Sequence, residues 1–149
     1  MSIRVPYAMS FYDDQEINAV LNVLKSGSTM AGANVAKLEA SISNSFGHEF
    51  GIMCNSGSSA LTLALAALDL PKGSEVITPA LTFSTTVASL IQAGLVPVFI
   101  DSDPLSLNIN VDLIEGAISD KTTGLMIPDL MGNFSDWDEI KGIADKYNL

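Results

Sequence analysis

Residues 55–65 have side chains and a local pattern that could bind an anion. They read Asn-Ser-Gly-Ser-Ser-Ala-Leu-Thr-Leu-Ala-Leu and lie between an apolar run at 50–54 and a helix-forming run at 60–68. At a turn from a strand to a helix, backbone N–H groups, hydroxyls and the positive helix end point at one spot, which suits a phosphate. The candidate phosphate-binding residues are Gly57, Ser58 and Ser59. The alternative is a capping serine after a glycine turn, which requires no ligand.

Three further candidates follow predicted strands. Phe83 precedes Ser-Thr-Thr, so its ring could stack on a planar ligand, or it could be a core residue before a capping serine. Asp101 and Asp103 could bind a metal or act as an acid/base pair, or they could open a turn before a proline. Asp129 could be functional, because ligands bind at strand ends in parallel sheets, or it could be a solvated loop carboxylate.

Composition restricts the class of protein and its partners. The chain has 149 residues, is 48% hydrophobic and has a net charge of −10. The apolar content fits a large interface or a piece of a larger protein, and the acidic charge argues against nucleic acid as a partner. The single cysteine, Cys54, excludes an internal disulfide and fits a cytoplasmic location. No signal pattern, membrane-length apolar stretch or histidine/cysteine cluster is present, so we expect neither a membrane nor a metal as partner.

Hydrophobic periodicity predicts the elements that position these residues. From residue 50 onward, a short apolar strand, a turn and a helix recur. The predicted strands are 50–54, 75–78, 96–100 and 123–127, and the predicted helices are 14–25, 34–46, 58–68, 84–93, 111–118 and 136–147. Short strands that are apolar on both faces predict an α/β fold with a mostly parallel sheet and flanking helices.

These segments, in this order and spacing, resemble the DegT/DnrJ/StrS family of pyridoxal-phosphate enzymes. The family has the aspartate-aminotransferase fold (fold type I) and acts mainly on nucleotide-linked keto sugars. The resemblance covers essentially the whole chain. It is carried by segments 14–32, 55–61, 76–83, 97–110 and 127–138. The residues at 83–87, 119–122, 132–133 and 144–149 are similar to those of one branch of the family, the CDP-keto-deoxyglucose 3-dehydrases.

The resemblance implies roles for the candidate residues. Ser58 and Ser59, in the turn at Gly57, would hold the phosphate of pyridoxal phosphate or pyridoxamine phosphate. Phe83 would stack on the pyridine ring. Asp129 stands where the family usually has histidine, which leaves its contact to cofactor or substrate open. A nucleotide-sugar substrate and a homo-oligomer are implied as partners.

The resemblance also implies that the catalytic residues follow Leu149. The family's next strand ends in Glu-Asp-x-Ala-Gln, whose aspartate pairs with the pyridine nitrogen, and the Schiff-base lysine, or a histidine in the dehydrase branch, comes later. We therefore expect residues 1–149 to be one domain, the N-terminal part of a cofactor-binding large domain. No catalytic residue is expected in this chain, which should be inactive alone and bind the cofactor weakly or not at all.

Two other interpretations stay open. The chain could be a stand-alone α/β module that binds phosphate or a partner without catalysis. It could also be a generic nucleotide-binding domain of the flavodoxin type, but that interpretation leaves the two leading helices unexplained.

Overall fold

The computed structural model describes residues 8–149, which separate into two compact units. The first contains the described residues through Met53, and the second contains Cys54–Leu149. The expectation of one domain over residues 1–149 stays a prediction. Residues 1–6, whose sequence predicts no signal peptide, lie outside the described part.

Two helices joined by a loop of small residues form the first unit. Helix α1 spans Asp14–Ser26 and helix α2 spans Ala33–Ser45, within one residue of the predicted bounds. Asp13 and Glu16 form a capping box at the start of α1, and the Asp13 N–H donates to Glu16 Oε2 at 2.8 Å. Gly27 ends this helix with a φ of 70°, which a glycine adopts without strain. Local capping signals therefore set the bounds of α1.

The predicted strand at 50–54 is wrong. Its residues form no regular element, and no described strand pairs with them. Instead, the segment lies against α2: the Met53 N–H donates to Glu39 Oε1 at 2.7 Å, and Gly51 approaches the Glu39 backbone. An apolar run has strand propensity, but a strand forms only where a neighbouring strand pairs with its peptide groups.

The second unit is a three-stranded sheet with helices on both faces. The strand order is β2-β1-β3, and both pairings are parallel, which confirms the predicted α/β fold with a mostly parallel sheet. The strands are β1 Glu75–Pro79, β2 Val96–Ile100 and β3 Thr122–Leu125. The helices are α3 Gly57–Leu68, α4 Ser84–Gln92, α5 Ile114–Ala117 and α6 Trp137–Tyr147, with single 3₁₀ turns at Val111–Leu113 and Leu130–Gly132.

Strand β1 lies at the centre of the sheet and separates two apolar clusters. Val76 is buried with Leu65, Leu90 and Leu95, whereas the next residue, Ile77, is buried in the other cluster. Ile77 packs in the cluster of Ile100, Ile109, Ile114, Ile140 and Ile143. Successive strand residues point to opposite faces, so helices cover both faces of β1. The three strands are parallel, so their carboxyl ends lie at one edge, where the loops that follow them begin.

The predicted helix at 111–118 is shorter than expected. A 3₁₀ turn leads into the four-residue helix α5. Asn110 caps this turn, because its side chain accepts a hydrogen bond from the Asp112 N–H. Gly116 lies within α5, and glycine weakens a helix interior. Among the described residues, no helix is long and apolar enough to cross a membrane.

Candidate functional site

The turn at the start of α3 is capped by Ser56, one residue before the candidate triplet. Its Oγ accepts a hydrogen bond from the Ser59 N–H and donates to Ser59 Oγ, both at 3.1 Å. The capping role therefore belongs to Ser56. Gly57 and Ser58 begin the helix, so their N–H groups have no carbonyl one turn earlier to bind.

These two N–H groups lie on an open surface. Gly57 and Ser58 are exposed and Ser59 is half-buried. A Cβ placed on Gly57 would have no heavy atom within 4 Å, so a ligand can approach the backbone there. The helix that follows is twelve residues long, which places the positive end of its dipole at this turn.

A cleft of about 530 Å³ lies beside the turn, between α3 and α4. Its polar lining comes from Asn55, Ser58, Ser59, Thr62, Thr85, Ser89 and Gln92. Within residues 8–149, no charged side chain lines the cleft. Hydroxyls and helix N–H groups without a competing carboxylate suit a phosphate or another small anion.

Phe83 lies at the N-cap position of α4 and is 70% exposed. The alternative of a core phenylalanine is therefore wrong, and so is that of a capping Ser84, because Ser84 is already the first residue of the helix. The ring does not line the cleft, although Thr85, two residues later, does. Stacking of Phe83 on a cofactor ring stays a prediction.

Asp129 is engaged within its own loop. Its Oδ1 accepts hydrogen bonds from the Trp137 indole N–H at 3.1 Å and from the Ser135 N–H at 3.0 Å. The carboxylate is half-buried and is not among the groups that line the cleft. Asp129 is thus a partly exposed loop carboxylate that ties the loop after β3 to the start of α6. Its contact to a cofactor stays a prediction.

Asp101 and Asp103 belong to a turn rather than to a metal site. Asp103 Oδ1 accepts from the N–H groups of Ser106 at 2.7 Å and Leu105 at 3.0 Å. These bonds hold the pKa of Asp103 below its ordinary value, and the bond from the Ser106 N–H has the largest effect. Across residues 8–149, no group of three or more histidine, cysteine, aspartate or glutamate side chains is placed to hold a metal ion.

Comparison with known proteins identifies the family. The model of the DegT/DnrJ/EryC1/StrS aminotransferase family matches residues 11–149. The chain belongs to this family.

The relatives of this family member include dehydratases and aminotransferases. GDP-4-keto-6-deoxy-D-mannose 3-dehydratase of Yersinia pseudotuberculosis is 37% identical over 149 residues, which cover 96% of this chain and 38% of that protein. UDP-2-acetamido-2-deoxy-3-oxo-D-glucuronate aminotransferase of Pseudomonas aeruginosa is 34% identical over 130 residues, which cover 87% of this chain and 36% of that protein.

A solved structure shares the fold. Escherichia coli GDP-4-keto-6-deoxy-D-mannose 3-dehydratase with bound hydrated PLP matches 97% of this chain and 39% of its own length, with a TM-score of 0.89 and 36% identity. This family member therefore spans about 38% of the length of the two 3-dehydratases from Yersinia pseudotuberculosis and Escherichia coli.

Proposed function

We propose that this chain is the N-terminal, phosphate-binding part of a pyridoxal-phosphate-dependent nucleotide-sugar enzyme of surface-polysaccharide biosynthesis. The match over residues 11–149 supports this proposal, as do the activities named for the relatives. Because those relatives include a 3-dehydratase and an aminotransferase, both reactions stay open. The proposed location is the cytoplasm, and the complete enzyme is proposed to be a homo-oligomer.

The observation that carries the proposal is the open first turn of α3. The N–H groups of Gly57 and Ser58 are unpaired in the helix at this turn, and Ser58 and Ser59 line the adjacent cleft, to which residues 8–149 contribute no charged side chain. A phosphate monoester fits this set of donors. When bound, pyridoxal phosphate supplies an electron sink for carbanions beside the amino group of the substrate.

The other candidate residues contribute differently in this proposal. Phe83 is exposed at the start of α4 and is free to stack on an aromatic ring. Asp129 acts through the loop that it ties to Trp137. Two lysines of α6 already form ion pairs on the surface: Lys141 with Asp145 at 3.0 Å, and Lys146 with Glu115 at 2.9 Å. The proposed catalytic residues lie outside this chain.

A binding experiment with pyridoxamine 5′-phosphate tests the proposal. This form of the cofactor has no aldehyde, so it forms no Schiff base with surface lysines. We expect the amide NMR signals of Gly57–Ser59 to shift on titration, and we expect pyridoxamine without the phosphate to produce no such shift. Ser58→Ala should weaken binding about tenfold, because it removes one hydrogen bond to a charged group. Ser45→Ala, an exposed serine at the end of α2, is the matched control and should bind normally.

Two results of this titration would contradict the proposal. Equal shifts with pyridoxamine would show that the phosphate is not recognised. Shifts confined to residues other than those of the α3 turn would place the anion elsewhere and contradict the proposal.

A further inference from the structure

An acidic pocket lies between the loop that follows β2 and the start of α6. It measures about 410 Å³ and has four carboxylates in its lining, those of Asp103, Asp112, Asp136 and Glu139. Within residues 8–149, no lysine, arginine or histidine lines it. It shares no lining residue with the cleft beside the α3 turn. The acidic pocket is therefore separate from the proposed phosphate site, and its charge attracts a cation.

Two polar side chains of the acidic pocket lack hydrogen-bond partners. Asn108 and Ser135 both line it and are 5% and 8% exposed. Asn108 Nδ2 donates to Phe134 O at 2.8 Å, and because a carbonyl oxygen only accepts, this bond fixes the orientation of the amide. Asn108 Oδ1 and Ser135 Oγ are left without a partner in the described part of the chain. A buried acceptor without a donor costs free energy, so these two atoms point to a ligand that donates hydrogen bonds.

Three apolar side chains also line the acidic pocket, those of Ile109, Val111 and Phe134. Phe134 is 80% exposed, so its ring is open to a ligand. An aromatic ring attracts an ammonium group at its face, and apolar side chains pack favourably on methylene groups. Negative charge, unpartnered acceptors and an aromatic ring together favour an ammonium ion that is attached to a short carbon chain.

A metal ion fits the acidic pocket less well. Across residues 8–149, no three carboxylates are placed to hold one ion, whereas Mg²⁺ and Ca²⁺ need several oxygen ligands at about 2.0–2.6 Å from one point. The volume of the pocket is also much larger than a single ion, and it falls in the range of sites for small organic molecules.

Two side-chain amides join the walls of the acidic pocket. Asn133 Nδ2 donates to Ser106 O at 2.6 Å, and Asn108 Nδ2 donates to Phe134 O. Each bond ties the loop after β2 to the loop before α6. A pocket whose walls are already joined loses little conformational freedom when a ligand binds.

We propose that the acidic pocket binds a short aliphatic diamine in its doubly protonated form. The ammonium groups pair with the carboxylates and supply the donors that Asn108 Oδ1 and Ser135 Oγ lack, and the methylene groups pack on Val111 and Phe134. Two positive charges match four carboxylates better than one does. This binding site goes beyond the proposed enzymatic function, and its test does not involve the phosphate turn.

Titration of the 149-residue chain with butane-1,4-diamine, at neutral pH and constant ionic strength, tests the proposal. We expect the NMR signals of the Ser135 backbone amide and the Asn108 side-chain amide to shift, and those of Gly57–Ser59 to stay in place. Butane-1,4-diol has the same carbon chain without charge and should produce no shift. Magnesium chloride and potassium chloride should produce no saturable shift at Asn108 and Ser135.

Two double variants with the same net charge provide the specificity control. Asp112→Asn with Glu139→Gln removes two carboxylates of the pocket, and neither side chain caps a helix. Diamine binding should weaken at least about tenfold, because hydrogen bonds between charged groups are lost. Asp120→Asn with Asp138→Asn removes two exposed carboxylates that do not line the pocket, and this variant should bind normally. Circular dichroism checks that both variants are folded.

Three results would overturn the proposal. The first is the absence of a shift at Asn108 and Ser135 in excess diamine. The second is an equal response to the diol or to either metal chloride, because the pocket would then not recognise an organic ammonium. The third is an equal loss of affinity in both double variants, because binding would then follow net charge alone.

Discussion

Gly51 shows how one residue without a side chain fixes the end of the first unit. A Cβ at this position would lie 2.6 Å from Glu39 O, which is closer than real Cβ contacts, and 3.3 Å from Glu39 Cα, which is a tight contact. The neighbouring Met53 N–H is bound to the Glu39 carboxylate. The glycine therefore permits the segment around it to lie directly on α2.

Gly51→Ala should destabilise the first unit by about 1–3 kcal/mol, because the extra methyl group forces the backbone away from α2. Denaturant unfolding followed by circular dichroism measures the loss. Gly116→Ala is the control: its Cβ would meet no atom within 4 Å, and alanine favours the helix by about 0.5–1 kcal/mol. Destabilisation by both substitutions to the same extent would contradict the steric explanation.

Residue by residue, the sequence predicted what depends on neighbours along the chain. The open turn at Gly57–Ser59 follows from its own composition, and the structure places it at a helix start. The bond between Asp129 and Trp137 was not predicted, because no rule of spacing links a carboxylate to an indole eight residues later. The contact of Gly51 with Glu39 was missed for the same reason, since twelve residues separate the two in sequence.

Helices α5 and α6 are joined by one charged cluster. Glu115 accepts hydrogen bonds from Lys146 Nζ at 2.9 and 3.0 Å and from the Tyr147 hydroxyl at 3.1 Å. The hydrogen bond from Lys146 is the largest cause that lowers the pKa of Glu115, and the bond from Tyr147 adds to it. In turn, the bond to Glu115 raises the pKa of Lys146. The two helices therefore share a contact that depends on pH.

The sign of this dependence follows from the two shifts. The contribution of Glu115 is fully present above its unfolded pKa and is lost as pH falls through its lowered folded pKa. The contribution of Lys146 is present below its unfolded pKa and is lost as pH rises through its raised folded pKa. Lys146→Met should therefore return the pKa of Glu115 toward its ordinary value in an NMR titration.

Lys141→Met is the matched control for that titration, because Lys141 lies on the same helix but pairs with Asp145. It should leave the pKa of Glu115 unchanged. A lowered pKa of Glu115 that persists in Lys146→Met would show that another group holds the carboxylate ionised.

At the level of elements, prediction succeeded where the signals are local and failed where a distant partner decides. The bounds of α1 follow from Asp13 and Gly27, and the start of α6 follows from Asp136, whose side chain accepts from the Glu139 N–H. The run at 50–54 has strand composition but lies without a strand neighbour in the described part of the chain. Pairing is a property of two segments, so one segment cannot reveal it.

The whole molecule divides its apolar interior unequally between the two units. Both buried apolar clusters lie within Cys54–Leu149, and the helices α1 and α2 have no buried apolar side chain in the described part. Burial of apolar surface supplies most of the free energy of folding. The second unit therefore contains most of the stabilising interior of the chain.

A protein that consists of residues 54–149 should fold without the first unit. We expect it to retain its helical circular dichroism and to unfold cooperatively, because both apolar clusters remain intact. Loss of structure in 54–149 would mean that the first unit supplies part of its core.

The bond between Trp137 and Asp129 gives the protein a natural optical marker. This indole is the single tryptophan of the chain, and it lines an apolar groove between α3 and α6. Its emission therefore registers events at the start of α6, within the second unit. Emission and far-ultraviolet dichroism, recorded during the same melt, would then follow different parts of the polypeptide, and a gap between the two curves would reveal units that melt separately.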